Sequence, residues 1–221
     1  MNRLSMWRTE PPVARIRTQL TMPLRFGDGY TAQARVFTFD GLVDGREHVA
    51  LGLGDRADPA TDSRRTPLVR PHSECLTGDV LGSQRCDCGA QLRESVARIA
   101  DAGGYLLYLR QEGRDIGLYA KLDAYALQDE GLDTYDANRA LGFAADGRDY
   151  TAAAQMLRAL GVARLDLLSN NPDKATQLER LGLDVASRVP TGVHLTDSNA
   201  RYLATKAGRG AHRLALPAQP R

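Results

Sequence analysis

No apolar run in this chain approaches the roughly 20 residues that a membrane span requires, so a helical membrane protein is excluded. The N-terminus, Met1-Asn2-Arg3-Leu4-Ser5-Met6-Trp7-Arg8, lacks the apolar segment of a secretory leader, which places the expected protein in a reducing cytoplasm. Excess charge of one sign is also missing. The 29 basic residues face 27 acidic ones, leaving a formal +2 that argues against a general nucleic-acid binder. There is no internal repeat and no low-complexity linker, and 221 residues are enough to bury a sizeable core. Cysteine is scarce at three residues, and all three fall within one short segment.

That segment is Cys75-Leu-Thr-Gly-Asp-Val-Leu-Gly-Ser-Gln-Arg-Cys86-Asp-Cys88. Soft thiolates favour zinc among the common biological metals. Three readings are open. A disulfide with one thiol left over suits a secreted protein and is disfavoured in a reducing compartment. A closed structural site needs a fourth ligand, for which His72, three residues before Cys75, is the nearest candidate. Three protein ligands alone leave a fourth position for a water that zinc acidifies, which is a catalytic arrangement.

Arg64, Arg65, Arg70, Arg85, Arg93, Arg98, Arg110 and Arg114 crowd the region around the cysteines. A local basic field of this kind suits a small polyanion such as a nucleoside triphosphate.

Residues 1–12 are polar, end in Pro11-Pro12 and read as a loose leader. Stretches 13–20, 32–39 and 48–53, separated by Gly27-Asp28-Gly29, Asp40-Gly41 and Asp44-Gly45, read as antiparallel strands. Residues 55–67 read as a polar loop, and 68–70 as a strand running into Pro71, which fits only where the ladder does not need its N–H. Strands are also expected at 105–109, 164–168 and 184–189. Helices are expected around 92–100, 116–126, 151–160 and 174–181, with Asp149 as an N-cap of the third. An antiparallel start followed by alternating helices and strands predicts a mixed α/β (α+β) fold.

Two loops carry further polar groups. Gln111-Glu112-Gly113-Arg114 follows the strand 105–109 directly, at the end where open α/β sheets bind ligands. A carboxylate there can accept the two N–H donors on the Watson-Crick edge of guanine. The loop 141–149 ends in Asp146-Gly147-Arg148-Asp149 before a helix, where backbone N–H groups and Arg148 favour an anion. Asp146 can serve there as a proton acceptor if its surroundings raise its pKa.

Taken together, Val69-Arg-Pro-His-Ser-Glu-Cys-Leu-Thr-Gly-Asp-Val80, Arg85-Cys-Asp-Cys-Gly89 with Gln91-Leu92, Arg110-Gln-Glu-Gly-Arg-Asp-Ile-Gly-Leu118, Ala124-Tyr-Ala-Leu-Gln-Asp129, Leu141-Gly-Phe-Ala-Ala-Asp146, Arg148-Asp149 and Asn170-Asn-Pro172 closely resemble GTP cyclohydrolase II. The resemblance spans residues 13–206 as one zinc-containing catalytic domain and leaves 207–221 as a tail. It implies hydrolysis of GTP to 2,5-diamino-6-ribosylamino-4(3H)-pyrimidinone 5′-phosphate, formate and pyrophosphate, the first step toward riboflavin.

The resemblance also implies one zinc per subunit on Cys75, Cys86 and Cys88, with a zinc-activated water attacking C8 of guanine, and magnesium with the triphosphate. The catalytic residues it implies are Asp146 as proton acceptor, Arg148 at the α-phosphate and Tyr125 in ring opening and deformylation. The substrate pocket it implies comprises Arg70, His72, Ser73, Glu74, Gln91, Glu112, Gly113, Arg114, Thr134, Ser169 and Lys174. A homodimer is implied by the same analogy. Pro71 and Ser169 depart from the residues usual in the family, and residues 206–212 replace its usual ending. Two other functions are weighed beside it: a paralogue that opens the ring but keeps the formyl group or serves a specialised pathway, and a non-catalytic zinc-stabilised nucleotide-binding module.

Overall fold

The computed structural model describes residues 13–58, 65–144, 146–196, 198–200 and 203. The expected leader, Arg64, Lys206 and the tail 207–221 lie outside the described residues. One mixed sheet of seven strands, in the order β1-β2-β3-β5-β4-β6-β7, organises the chain. β1 (Arg15–Arg25), β2 (Thr31–Asp40) and β3 (Val49–Leu53) form the expected antiparallel start, and β3 pairs antiparallel with β5 (Gly104–Leu109). From β5 onward the sheet is parallel through β4 (Leu68–Ser73), β6 (Arg164–Leu168) and β7 (Asp184–Val189).

Parallel neighbours need crossovers, and helices supply them. α2 (Cys88–Ala102) carries the chain from β4 to β5, and α7 (Pro172–Arg180) carries it from β6 to β7. On one face of the sheet, Val96 and Ile99 of α2 meet Leu53, Leu68, Leu106 and Leu168. On the other, Met156 and Leu157 of α6 (Thr151–Ala159) and Leu178 of α7 meet Val69, Leu107, Leu109, Leu165 and Leu167. β5 therefore buries side chains on both faces, which is why Tyr105-Leu-Leu-Tyr-Leu109 reads as a nearly continuous apolar run.

Pro71 stands in an interior strand and not at an edge. β6 pairs with β4 only at Leu68 and Val69, so at Pro71 the ladder on that side has already ended. Asp149 lies one residue before the cap position of α6, which Tyr150 occupies, yet its carboxylate accepts the Thr151 N–H at 2.6 Å. The periodicity missed α5 (Thr134–Ala140), which Asp133 caps by accepting from Tyr135 N and Asp136 N at 2.8 and 3.0 Å. It also missed the one-turn α1 (Leu76–Asp79) and α3 (Glu112–Asp115) and extended too early the helix observed as α4 (Leu118–Asp129). Among the described residues no helix is long and apolar enough to cross a membrane.

Candidate active site

The parallel strands β4, β5 and β6 end side by side, and the loops that leave them carry the chemistry, as open α/β sheets arrange it. Glu74 and Cys75 leave β4, Arg110 to Glu112 leave β5, and Ser169 to Asn171 leave β6. They open onto a cleft enclosing about 1090 Å³, mouth included. Of the site residues expected from sequence, Asp146 alone is absent from the lining of that cleft.

At one end the three thiols converge, each sulfur within 4.8 Å of the others and those of Cys75 and Cys86 3.6 Å apart. Zinc-thiolate bonds of about 2.3 Å at tetrahedral angles put sulfurs about 3.8 Å apart, so the cluster fits that ion. The approach depends on Gly78. A Cβ there would stand 2.7 Å from Cys86 Sγ and 3.1 Å from Cys75 Sγ, and only glycine leaves the space. Hydrogen bonds from Cys86 and Cys88, together with the Lys121 ammonium, pull the Cys75 thiol far down, whereas the bond to Cys75 pushes Cys86 up to about 11. None of the three cysteines is in a disulfide.

His72 is not part of the sulfur cluster. Its Nε2 lies 3.1 Å from Asp79 Oδ2, and its ring stacks on Tyr108 with centroids 5.6 Å apart. Asp79 also accepts from Cys75 N and Tyr108 Oη, each at 3.0 Å, so one buried carboxylate ties the β4 histidine to the backbone of a clustered cysteine. Burial lowers the His72 pKa, and the Asp79 hydrogen bond offsets only part of that. A histidine neutral in the fold adds stability that is complete above the ordinary value of 6.5 and is lost as pH falls through 6.5 toward the depressed folded value. Urea midpoints of the wild type should therefore drop between about pH 7.5 and about pH 5 more than those of His72→Gln. Parallel curves for the two proteins would rule this out.

Lys121, on α4, lines the cleft and is not among the residues expected from sequence. Its buried Nζ donates to Cys75 Sγ at 3.1 Å, Thr77 Oγ1 at 2.9 Å and Glu112 Oε1 at 2.8 Å. Burial favours loss of its proton, but the Glu112 bond and the Cys75 charge more than compensate and hold its pKa above the ordinary value. One sequence signal was available: Lys121 precedes Tyr125 by four residues and so shares its helix face. Two cations stand near the Tyr125 ring, Arg85 4.6 Å and Lys121 Nζ 5.7 Å from its centroid. Burial raises the Tyr125 pKa, which keeps the hydroxyl a donor at neutral pH.

Glu112 answers to protein groups on both oxygens. Oε2 accepts Leu76 N at 2.7 Å, and Oε1 accepts Gly113 N at 2.9 Å beside Lys121. A carboxylate offers about four acceptor positions, so these three donors leave one unfilled on a residue that lines the cleft. Gln91 is committed likewise, accepting from Arg70 Nη2 at 2.7 Å and donating to Asp87 at 2.6 Å. Lys174, buried at the start of α7, donates to Pro71 O at 2.6 Å, and Ser169 Oγ accepts Asn171 N at 3.1 Å.

Arg148 lines the cleft and is gripped from behind. Its Nε and Nη2 donate to Asp146 Oδ1 and Oδ2 at 2.9 and 2.5 Å. Burial pushes the Asp146 carboxyl up, but the Arg148 guanidinium outweighs it and the net shift is below the ordinary range. The raised pKa that a strong base would need is therefore not what the fold provides; Asp146 is an ionised anchor for a protonated guanidinium.

The model of the GTP cyclohydrolase II family matches residues 15–190. A protein of Vibrio cholerae serotype O1 named GTP cyclohydrolase-2 is 50% identical over 183 residues, covering 83% of this chain and 90% of the relative. Its namesake in Psychromonas ingrahamii is 46% identical over 205 residues, 93% of this chain and 100% of the relative. Riboflavin biosynthesis protein RibBA of Bacillus velezensis is 49% identical over 199 residues, which are 88% of this chain and 47% of that longer protein.

Proposed function

Because this chain belongs to the GTP cyclohydrolase II family, we propose that it hydrolyses GTP to 2,5-diamino-6-ribosylamino-4(3H)-pyrimidinone 5′-phosphate, formate and pyrophosphate in riboflavin synthesis. The observation that carries this reading is the juxtaposition, in one cleft, of three convergent thiols with Arg114, Arg148 and Lys174. A purine ring at the sulfurs and a triphosphate on the cations account for both groups.

Cys75, Cys86 and Cys88 are the zinc ligands in this reading, and zinc there supplies Lewis acidity and water activated near neutral pH. The chain's own residues divide the remaining work. The open position on Glu112 takes a guanine N–H, which an adenine ring cannot offer at the same place. Tyr125, protonated and close to two cations, donates a hydrogen bond or a proton to the nitrogen released on ring opening and deformylation. Arg70, His72, Ser73, Glu74, Gln91, Gly113, Thr134, Ser169 and Lys174 complete the nucleotide pocket.

Arg148 stabilises the charge that develops on the α-phosphate as pyrophosphate departs, with Asp146 fixing its orientation. A nucleophilic guanidine would have to shed its proton while bidentately paired with a carboxylate, so electrostatic stabilisation is the less demanding role. Magnesium accompanies the triphosphate. Residues 13–206 form the catalytic unit, and three cysteines outside any disulfide suit a reducing cytoplasm. β1 supports a homodimer: it is an edge strand of eleven residues, solvent-exposed almost throughout, with Ile16, Leu20 and Met22 among the exposed apolar side chains.

The test is incubation of the zinc-loaded protein with GTP and magnesium, followed by mass analysis. Formate together with the diaminopyrimidinone is expected. Pyrophosphate with a formylamino pyrimidine would replace this reading with the ring-opening paralogue, and unchanged GTP would leave a non-catalytic nucleotide-binding module.

A further inference from the structure

Two residues other than glycine hold a left-handed backbone among the described residues, Arg114 at φ 63° and Asp115 at φ 76°, and they are adjacent. Gly113 before them has φ 63° and ψ 29°, so three consecutive residues take a conformation that ordinary side chains avoid. Such a run persists only where surrounding groups hold it. The turn carries two parts of the cleft. The Arg114 guanidinium lies 4.3 Å from the Tyr135 ring centroid and lines the cleft, and the Arg114 carbonyl accepts Gly147 N at 3.1 Å, which fixes the loop between Asp146 and Arg148.

What holds the turn comes from outside the motif, from the connection between β2 and β3. Arg46 Nη1 makes a close ion pair with Asp115 Oδ1 and donates to the Arg110 carbonyl at 2.9 Å. Two residues on, His48 Nδ1 accepts the Arg110 N–H at 2.9 Å. Since a backbone N–H can only donate, His48 carries its own proton on Nε2 and gives it to Asp44 Oδ2 at 2.8 Å. Both backbone polar groups of Arg110 and the side chain of Asp115 are thus fastened to one short turn, on the wall of a second cavity that shares Glu74, Glu112 and Ile116 with the main cleft.

We propose that Arg46 and Asp115 are a positioning pair for the nucleotide site: they hold the left-handed turn Gly113–Asp115, and through it Arg114 and the Arg148 loop, in the geometry that grips the triphosphate. Neither residue lines the main cleft, so the effect falls chiefly on binding through Arg114, with a smaller effect on kcat through the Arg148 loop. The inference rests on the GTP-hydrolysing reading for its substrate, and its test is built to fail separately.

In Arg46→Ala, the KM for GTP rises about tenfold or more with a smaller change in kcat, while zinc per chain and melting temperature stay at the wild-type values. Asp115→Asn tolerates the left-handed backbone and keeps an acceptor for Arg46, so it retains wild-type KM within about twofold. Asp115→Gly relieves the backbone but loses the staple and matches Arg46→Ala; the double variant Arg46→Ala/Asp115→Gly is no worse than either single change. Calorimetric binding of a GTP analogue with an α,β-methylene bridge follows the same order whether or not the wild type turns over. Analogue binding weakened in Arg46→Ala while the wild type releases no formate would sustain this proposal and sink the proposed reaction. Unchanged analogue affinity in Arg46→Ala, or a fall in kcat matched by loss of zinc and melting temperature at constant KM, would overturn the pair's role.

Discussion

Cys86→Ser is expected to yield a folded protein that holds less than about a tenth of a zinc per chain and releases formate at least about a thousandfold more slowly. A serine hydroxyl does not ionise near neutral pH, so the donor set falls from three thiolates to two. The fold should survive because neither apolar cluster contains any of the three cysteines; both are built from the strands and from α2, α6 and α7. Gly78→Ala should give the same phenotype with every ligand intact, since its Cβ would stand 2.7 Å from Cys86 Sγ, well inside contact distance. Metal analysis, a thermal melt and formate release on the same preparations decide the matter. A zinc-depleted variant that is also unfolded would make the metal a structural staple and favour the non-catalytic module.

The parts of this site legible in the sequence were those whose residue type already implies a chemistry. Three cysteines in fourteen residues announce a metal whatever the fold, and Glu112-Gly-Arg114 after an apolar strand announces a ligand loop. The strands were readable for a related reason: β5 is buried on both faces and β2 is bounded by Gly-Asp turns, so pattern and burial agree. What stayed hidden was pairing across long sequence distances. Nothing near Lys121 says that it will meet Cys75, 46 residues earlier, and nothing near Arg46 says that it will meet Asp115, 69 residues later. Short helices were missed because one turn has no period to read, and α5 because only its cap, Asp133, distinguishes it from a loop. Whether the surroundings of Asp146 raise its pKa was not legible for the same reason: the partner that lowers it is known only once Arg148 is seen to turn back onto it.

Lys121→Met should lower the stability of the zinc-free protein by about 3–5 kcal/mol, the cost of stranding one partner of a buried ion pair. The side chains of Lys121 and Glu112 are only 10% and 9% exposed, so solvent screens their attraction little. Methionine keeps the length and apolar stem but leaves Glu112 Oε1 without its ammonium and removes the N–H donated to Cys75 Sγ. Because the folded pKa of Lys121 is raised above 10.5, its contribution is fully present below 10.5 and is lost only as pH rises through the raised value. The gap between wild type and variant should accordingly be flat from about pH 6 to about pH 9 in urea titrations. Lys121→Met/Glu112→Gln, which leaves a neutral amide in place of the stranded carboxylate, should recover most of that stability. It should not recover turnover, since it lacks both the fixed positive charge that Lys121, its three Nζ donors committed, holds beside the sulfur cluster and the Glu112 carboxylate proposed to meet the base. A single variant within about 1 kcal/mol of wild type, or a double variant with wild-type formate release, would mean that the charge is incidental to the site.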